Sequence, residues 1–195
     1  MKSLKNCLRL NKKIRVIGFD DSPFDKHQST TVNVSGIVCS NTRFEGMLWN
    51  KLTKDGMDAT SVIASTVKES KFYDQLHLVL IDGVTVGGFN PIDLPLLANT
   101  LNIPCIAVMR KEPNLDAIAN ALKHFPNTEE RLETILKAGE IYTPEPFVYQ
   151  CAGCTSDEAH QALIKLTDNG NVPEALRLAH LIGSAVMTGQ SSNRA

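Results

Sequence analysis

Residues 76–90 read LHLVLIDGVTVGGFN: an apolar run ends on Asp82, and glycines follow before the chain turns apolar again. A run that is short and continuous rather than alternating is the pattern of a strand buried on both faces of a parallel sheet. Beyond it, PIDLPLLANTLN (91–102) reads as a helix and IPCIAVM (103–109) as a second buried strand. Before it, DATSVIASTVKESK (58–71) opens on Asp58, a good N-cap residue, and carries Val62, Ile63, Thr66, Val67 and Ser70 at helical spacing. Alternating helix and strand predicts parallel pairing through right-handed crossovers.

The chain ahead of Asp58 has a different rhythm. KIRVIGF (13–19), the β-branched STTVNVSGIVCS (29–40) and RFEGMLWNKLT (43–53) read as three strands, the first two separated by the polar, proline-bearing DDSPFDKHQ (20–28). Short connections between them predict an antiparallel meander. After Arg110 the chain turns helical, in LDAIANALKHF (115–125), TEERLETILKAG (128–139), TSDEAHQALIKLTDNG (155–170) and PEALRLAHLIGSAVM (173–187); IYTPEPFVYQC (141–151) gives only two extended pieces broken by prolines. The expected architecture is α/β and ribonuclease-H-like: a mixed five-stranded sheet, three antiparallel strands and then parallel ones, flanked by helices in one domain over residues 1–195. An ordinary doubly wound sheet does not open with a meander.

Composition narrows the classes. The chain has 195 residues, of which 43% are hydrophobic and 21% charged, as in a soluble globular protein. No apolar run approaches the ~18 residues that cross a bilayer. The basic start, with Lys2, Lys5, Arg9, Lys12, Lys13 and Arg15, lacks the apolar core and cleavage site of a signal peptide, so a cytoplasmic protein with a solvated lead-in is expected. A balance of 20 Lys+Arg against 21 Asp+Glu argues against general nucleic-acid coating, which rests on clustered cations. Five cysteines, an odd number, are most simply reduced thiols. Cys151 and Cys154 have C-x-x-C spacing, but zinc needs two more ligands and only His160 lies nearby. A redox role needs the pair between a strand and a helix, which the predicted elements do not provide.

The carboxylates carry the chemical signal. In an open α/β sheet, ligands gather beyond the carboxyl ends of the strands. Two predicted strands end there in acid, at Asp20 and Asp21 and at Asp82. If those strands are neighbours, their acids face each other, and hard cations such as magnesium or manganese favour such oxygen ligands. A lone Asp82 before glycine would be a turn residue; paired with Asp20 it becomes half of a metal site. Further ligands are sought in Asp58, whose simpler role is capping, and in Glu174, whose simpler role is a first-turn charge. His180 is expected to be a half-buried, satisfied histidine; six positions from Glu174, it projects about 120° away. GVTVGGFN lacks both the Walker and the G-x-G-x-x-G spacing, so Gly87 and Gly88 are expected to permit close approach of backbone or phosphate.

GFDDSPF (18–24), DGMDAT (55–60), LHLVLIDGVTVGGFNPIDL (76–94), IPCIAVMRKEPNL (103–115) and GNVPEALRLAHLIGSA (170–185) together resemble the family called domain of unknown function 99, over nearly the whole chain. That family looks like a distant relative of endonuclease V, a magnesium-dependent nuclease of ribonuclease-H-like fold acting near deaminated adenine. The resemblance implies metal ligation by Asp20, matching the first-strand Gly-Val-Asp motif, and by Asp82, matching the Val-Asp-Gly motif. It implies a phosphate contact at Lys111. Asp21, Asp58 and Glu174 complete the expected metal set, and Asp20, Asp82, Asp58 and Lys111 the expected catalytic set. Where endonuclease V carries a Phe-Arg-Glu segment this chain reads KLTKDGMDAT (51–60), with no such glutamate, and the strand-separating wedge is also missing. The expected function is therefore divalent-metal-dependent phosphodiester cleavage, with DNA or RNA as partner and no membrane association. The alternatives are a non-catalytic nucleic-acid-binding or adaptor module and a hydrolase of small phosphorylated metabolites.

Overall fold

The computed structural model describes residues 3–192. Its strands are β1 (Arg15–Asp21), β2 (Thr31–Ser40), β3 (Arg43–Thr53), β4 (Leu78–Asp82), the short β5 (Thr85–Val86) and β6 (Asn90–Pro91), β7 (Cys105–Met109) and β8 (Val148–Ala152). The helices are α1 (Leu4–Arg9), α2 (Ala59–Lys68), α3 (Leu94–Leu101), α4 (Leu115–Leu122), α5 (Thr128–Leu136), α6 (Ser156–Leu166) and α7 (Glu174–Thr188). The main sheet has six strands in the order β3-β2-β1-β4-β7-β8, and β5 pairs with β6 as a separate hairpin. The meander is antiparallel, β1–β4 and β4–β7 are parallel, and β8 closes the sheet antiparallel to β7.

The mixed, ribonuclease-H-like sheet is as expected, but it has six strands rather than five. The additional strand is β8, whose approach through Pro144 and Pro146 interrupts the strand pattern in the sequence. The basic lead-in is also more structured than expected. Leu4 and Cys7 of α1 are buried, and Lys165 of α6 donates to Asn11 Oδ1 and to the Lys12 carbonyl.

Side-chain alternation along β1 and β4 divides the core into two layers. Ile17, Phe19, Val79 and Ile81 pack with α2 and α3; Val16, Leu78 and Leu80 pack with α1, α6 and α7. Helix α7 lies close along β1, because Gly18 lets the backbone at Ala175 approach: a Cβ there would stand 2.9 Å from the Ala175 carbonyl carbon. Farther along, Gly183 meets Ser22. The helix therefore runs in the direction of β1, and its later turns pass over the strand's carboxyl end.

Among the described residues, no helix is long and apolar enough to cross a membrane.

Candidate active site

The register of β1 and β4 pairs Gly18 with Leu80 and Phe19 with Ile81, so Asp20 and Asp82 occupy the next adjacent positions. Both follow residues of the α7-facing set by two, and so share that face. The two carboxyls therefore stand side by side at the end of adjacent strands. Burial and then the charge of Asp20 push Asp82 up to about 6, with Arg110 opposing. Asp20 is raised too, by burial and by the charge of Asp21, against the lowering effect of a hydrogen bond with His180.

His180 comes from α7. Ala175, Leu176 and Ala179 are buried against the sheet, and position 180 borders that stripe one turn after Leu176. Its Nδ1 lies 2.9 Å from Asp20 Oδ2. The hydrogen bond with Asp20 raises its pKa, with burial opposing. The sequence expectation of a half-buried, partnered histidine describes its burial but misses its partner. The signal was available: the apolar stripe of α7 fixes its sheet-facing side, and the approach of α7 to β1 places position 180 over Asp20.

Asp21 points the other way. Its Oδ2 accepts from the Gly87 amide at 2.6 Å and so ties β1 to the β5–β6 hairpin. Its pKa is raised by burial, the Gly87 bond opposing and the Asp82 charge adding. Gly87 and Gly88 have φ of +64° and +91°, and a Cβ at Gly87 would run into Leu52. Backbone does approach backbone there, the Asp55 amide donating to the Gly87 carbonyl at 2.9 Å, while the Gly87 amide meets the Asp21 carboxylate.

Three expected residues lie outside this group. Asp58 accepts from the Thr53 amide and hydroxyl and from Asn90 Nδ2, and makes no side-chain cap to α2. The cap is borrowed: Asn90 Oδ1 accepts from the Ala59 amide. Burial alone would raise Asp58, but the bonds from Asn90 and Thr53 outweigh it and lower its pKa. Glu174 sits at the first turn of α7, two turns before His180, in a bidentate pair with Arg177 at 2.7 Å. Lys111 is exposed, and the cation beside Asp82 is Arg110, 3.9 Å away.

The loops behind the hairpin are held by Arg131 of α5, which is 3% exposed. Its guanidinium donates to the carbonyls of Asp55, Gly56 and Phe89, its Nε to Pro126, and it lies over the Phe125 ring. Asp55 in turn accepts from the Phe89 amide.

An open mixed sheet with helices on both faces and acids ending its two central parallel strands defines a protein of ribonuclease-H-like fold. The comparisons agree. A structure of endonuclease V from Ciona intestinalis, in complex with DNA containing an inosine followed by a ribo-adenosine, superposes with a TM-score of 0.55 at 15% identity, over 87% of this chain and 84% of that one. A crystal structure of a protein of unknown function from Archaeoglobus fulgidus superposes with a TM-score of 0.84 at 34% identity, over 89% of this chain and 98% of that one. A UPF0215 protein of Methanosarcina barkeri is 39% identical over 191 residues, covering 95% of this chain and 97% of the relative. Residues 12–187 match the family described as Endonuclease dU. The chain belongs to the Endonuclease dU family, domain of unknown function 99.

Proposed function

We propose that this protein hydrolyses nucleic-acid phosphodiester bonds with a divalent metal ion held by Asp20 and Asp82. The observation that carries this reading is the juxtaposition of those carboxylates on one face of adjacent parallel strands, with His180 bonded to Asp20. The donor set fits magnesium or manganese: two hard oxygen ligands, whose mutual repulsion a cation would relieve. Among the described residues, no group of three or more His, Cys, Asp and Glu side chains could hold a metal ion. Magnesium is commonly held by one or two carboxylates, with water and substrate phosphate completing its shell.

When bound, the ion supplies charge neutralisation at the phosphate and a more acidic water. Asp20 and Asp82 hold it, and Arg110 beside Asp82 offers a guanidinium to a phosphate oxygen. His180, fixed through Nδ1 on Asp20, has Nε2 left to move a proton at the scissile bond. Asp21 anchors the glycine hairpin beside this edge. The family description and the inosine-DNA complex of the distant neighbour favour DNA with a deaminated base, deoxyuridine first.

The test is cleavage of single- and double-stranded DNA and of RNA, each unmodified or carrying deoxyuridine or inosine, with magnesium or manganese. Cleavage is expected for the wild type and not for Asp20→Asn or Asp82→Asn. No cleavage above the Asp82→Asn background would defeat the enzymatic reading. The lack of a three-ligand group favours a second reading, a nucleic-acid-binding module without catalysis. Calorimetric titration separates the two, since such a module binds oligonucleotide but no magnesium at millimolar concentration.

A further inference from the structure

The Cys151–Cys154 pair occupies a different place from the one its sequence context suggested. Cys151 lies in β8, Gly153 turns the chain at φ +79°, and Thr155 caps α6, so Cys-Ala-Gly-Cys spans a strand-to-helix junction. The turn folds the two residues together, Cys151 Sγ donating to the Cys154 carbonyl oxygen at 3.8 Å. Both thiols are free and partly exposed, whereas Cys7, Cys39 and Cys105 are buried. Cys154 lines a cavity of about 830 Å³ with Gly153, Thr155, His77 and Pro104, large enough to admit a small organic thiol or disulfide.

We propose that Cys151 and Cys154 are a reversible dithiol–disulfide redox site. This rests on no part of the phosphodiesterase reading. Strand β8 runs antiparallel to β7, pairing Ala152 with Cys105, while Asp82 pairs with Val108 at the other end of β7. The cysteines and the acids therefore stand at opposite edges of the sheet.

Asp157 and Glu158 lie in the first turn of α6, and Glu158 and Thr155 satisfy each other's backbone amides, so the helix end offers a thiolate little. The stabilising partner is the neighbouring thiol: its hydrogen bond lowers Cys151, against burial, and raises Cys154. In the exchange, one of the two cysteines loses its proton and attacks one sulfur of an incoming disulfide of the glutathione class. That S–S bond breaks, a mixed disulfide forms, and the departing thiolate takes up a proton. The other cysteine then loses its proton and attacks the Sγ of the first, expelling the second thiol. Two protein thiols are oxidised and one small disulfide is reduced to two thiols.

The test equilibrates the native full-length protein with mixtures of oxidised and reduced glutathione, alkylates the free thiols and maps the products by mass spectrometry. The wild type is expected to lose two free thiols, both on the peptide bearing Cys151 and Cys154. Cys154→Ser and Cys151→Ser should each hold glutathione as a stable adduct on the cysteine that remains. Thermal melts of both variants check that they fold. Five free thiols at the oxidising limit, or closure of the pair only in denaturant, would overturn the proposal. So would tight zinc binding by the reduced wild type that both variants lose, which would make the pair a metal site.

Discussion

At the residue scale, Asp20 and Asp82 oppose folding and favour ligand binding at once. The Asp82 pKa is raised from 3.8 to about 6, so between those values the native protein keeps a proton that the unfolded chain has released. The stability from this group is present at lower pH and is lost as pH rises through about 6. We predict that Asp82→Asn, which removes that charge, stabilises the metal-free protein near pH 8 by on the order of 1–2 kcal/mol while abolishing cleavage. Millimolar magnesium should raise the melting temperature of the wild type but not of the variant; equal response by both would remove Asp82 from the metal site. His180→Gln should lower cleavage by about 10²–10³-fold and remove one limb of the pH–rate profile. An unchanged profile would reduce His180 to a packing residue. The adjacency of Asp20 and Asp82 was legible because two strands of the buried pattern both end in acid. Glu174 was partly legible as a misfit, since Arg177 three positions on is a ready partner. Asp58 was not, because Asn90 lies 32 positions away and nothing local announces it.

At the scale of elements, α5 determines how well the hairpin holds its place. Arg131 gathers carbonyls from the β3–α2 loop, at Asp55 and Gly56, and from the turn of the hairpin itself, at Phe89. Arg131→Met keeps comparable bulk but leaves those acceptors, on half-buried residues, without the guanidinium, which costs on the order of 1–3 kcal/mol. Amide exchange at Gly87 and Phe89 should accelerate while that of β1 and β4 holds; uniform acceleration would mean Arg131 supports the whole core instead. The sequence places an arginine inside the amphipathic α5 pattern, where a solvated role is the ordinary reading. Its burial depends on carbonyls that converge only after the loops fold. Strand β8 escaped for a related reason: prolines hide its start, and only its partner β7 makes it a strand.

For the whole molecule, near-neutral charge limits how a polymer can be held. With a net charge of −1, any affinity for nucleic acid must come from a few local cations, of which Arg110 and Lys111 adjoin the acid edge in sequence. The slope of log affinity against log salt should be shallow, about −2 to −4, and should lose about one in magnitude in Arg110→Ala. A slope unchanged in that variant would place the phosphate track elsewhere. The global fold was legible because the meander and the helix–strand alternation leave different periodicities. Assembly in time follows from a smaller detail. Helix α2 takes its cap from Asn90, 31 residues downstream, so its first turn is completed only when the hairpin arrives. That contact needs both the start of α2 and the hairpin in place, so it is expected to close after each has formed. Asn90→Ala is therefore expected to leave the refolding rate nearly unchanged and to speed unfolding, with a stopped-flow chevron as the measurement. The residue that finishes α2 would then act as a latch, setting how long the folded molecule lasts more than how soon it forms.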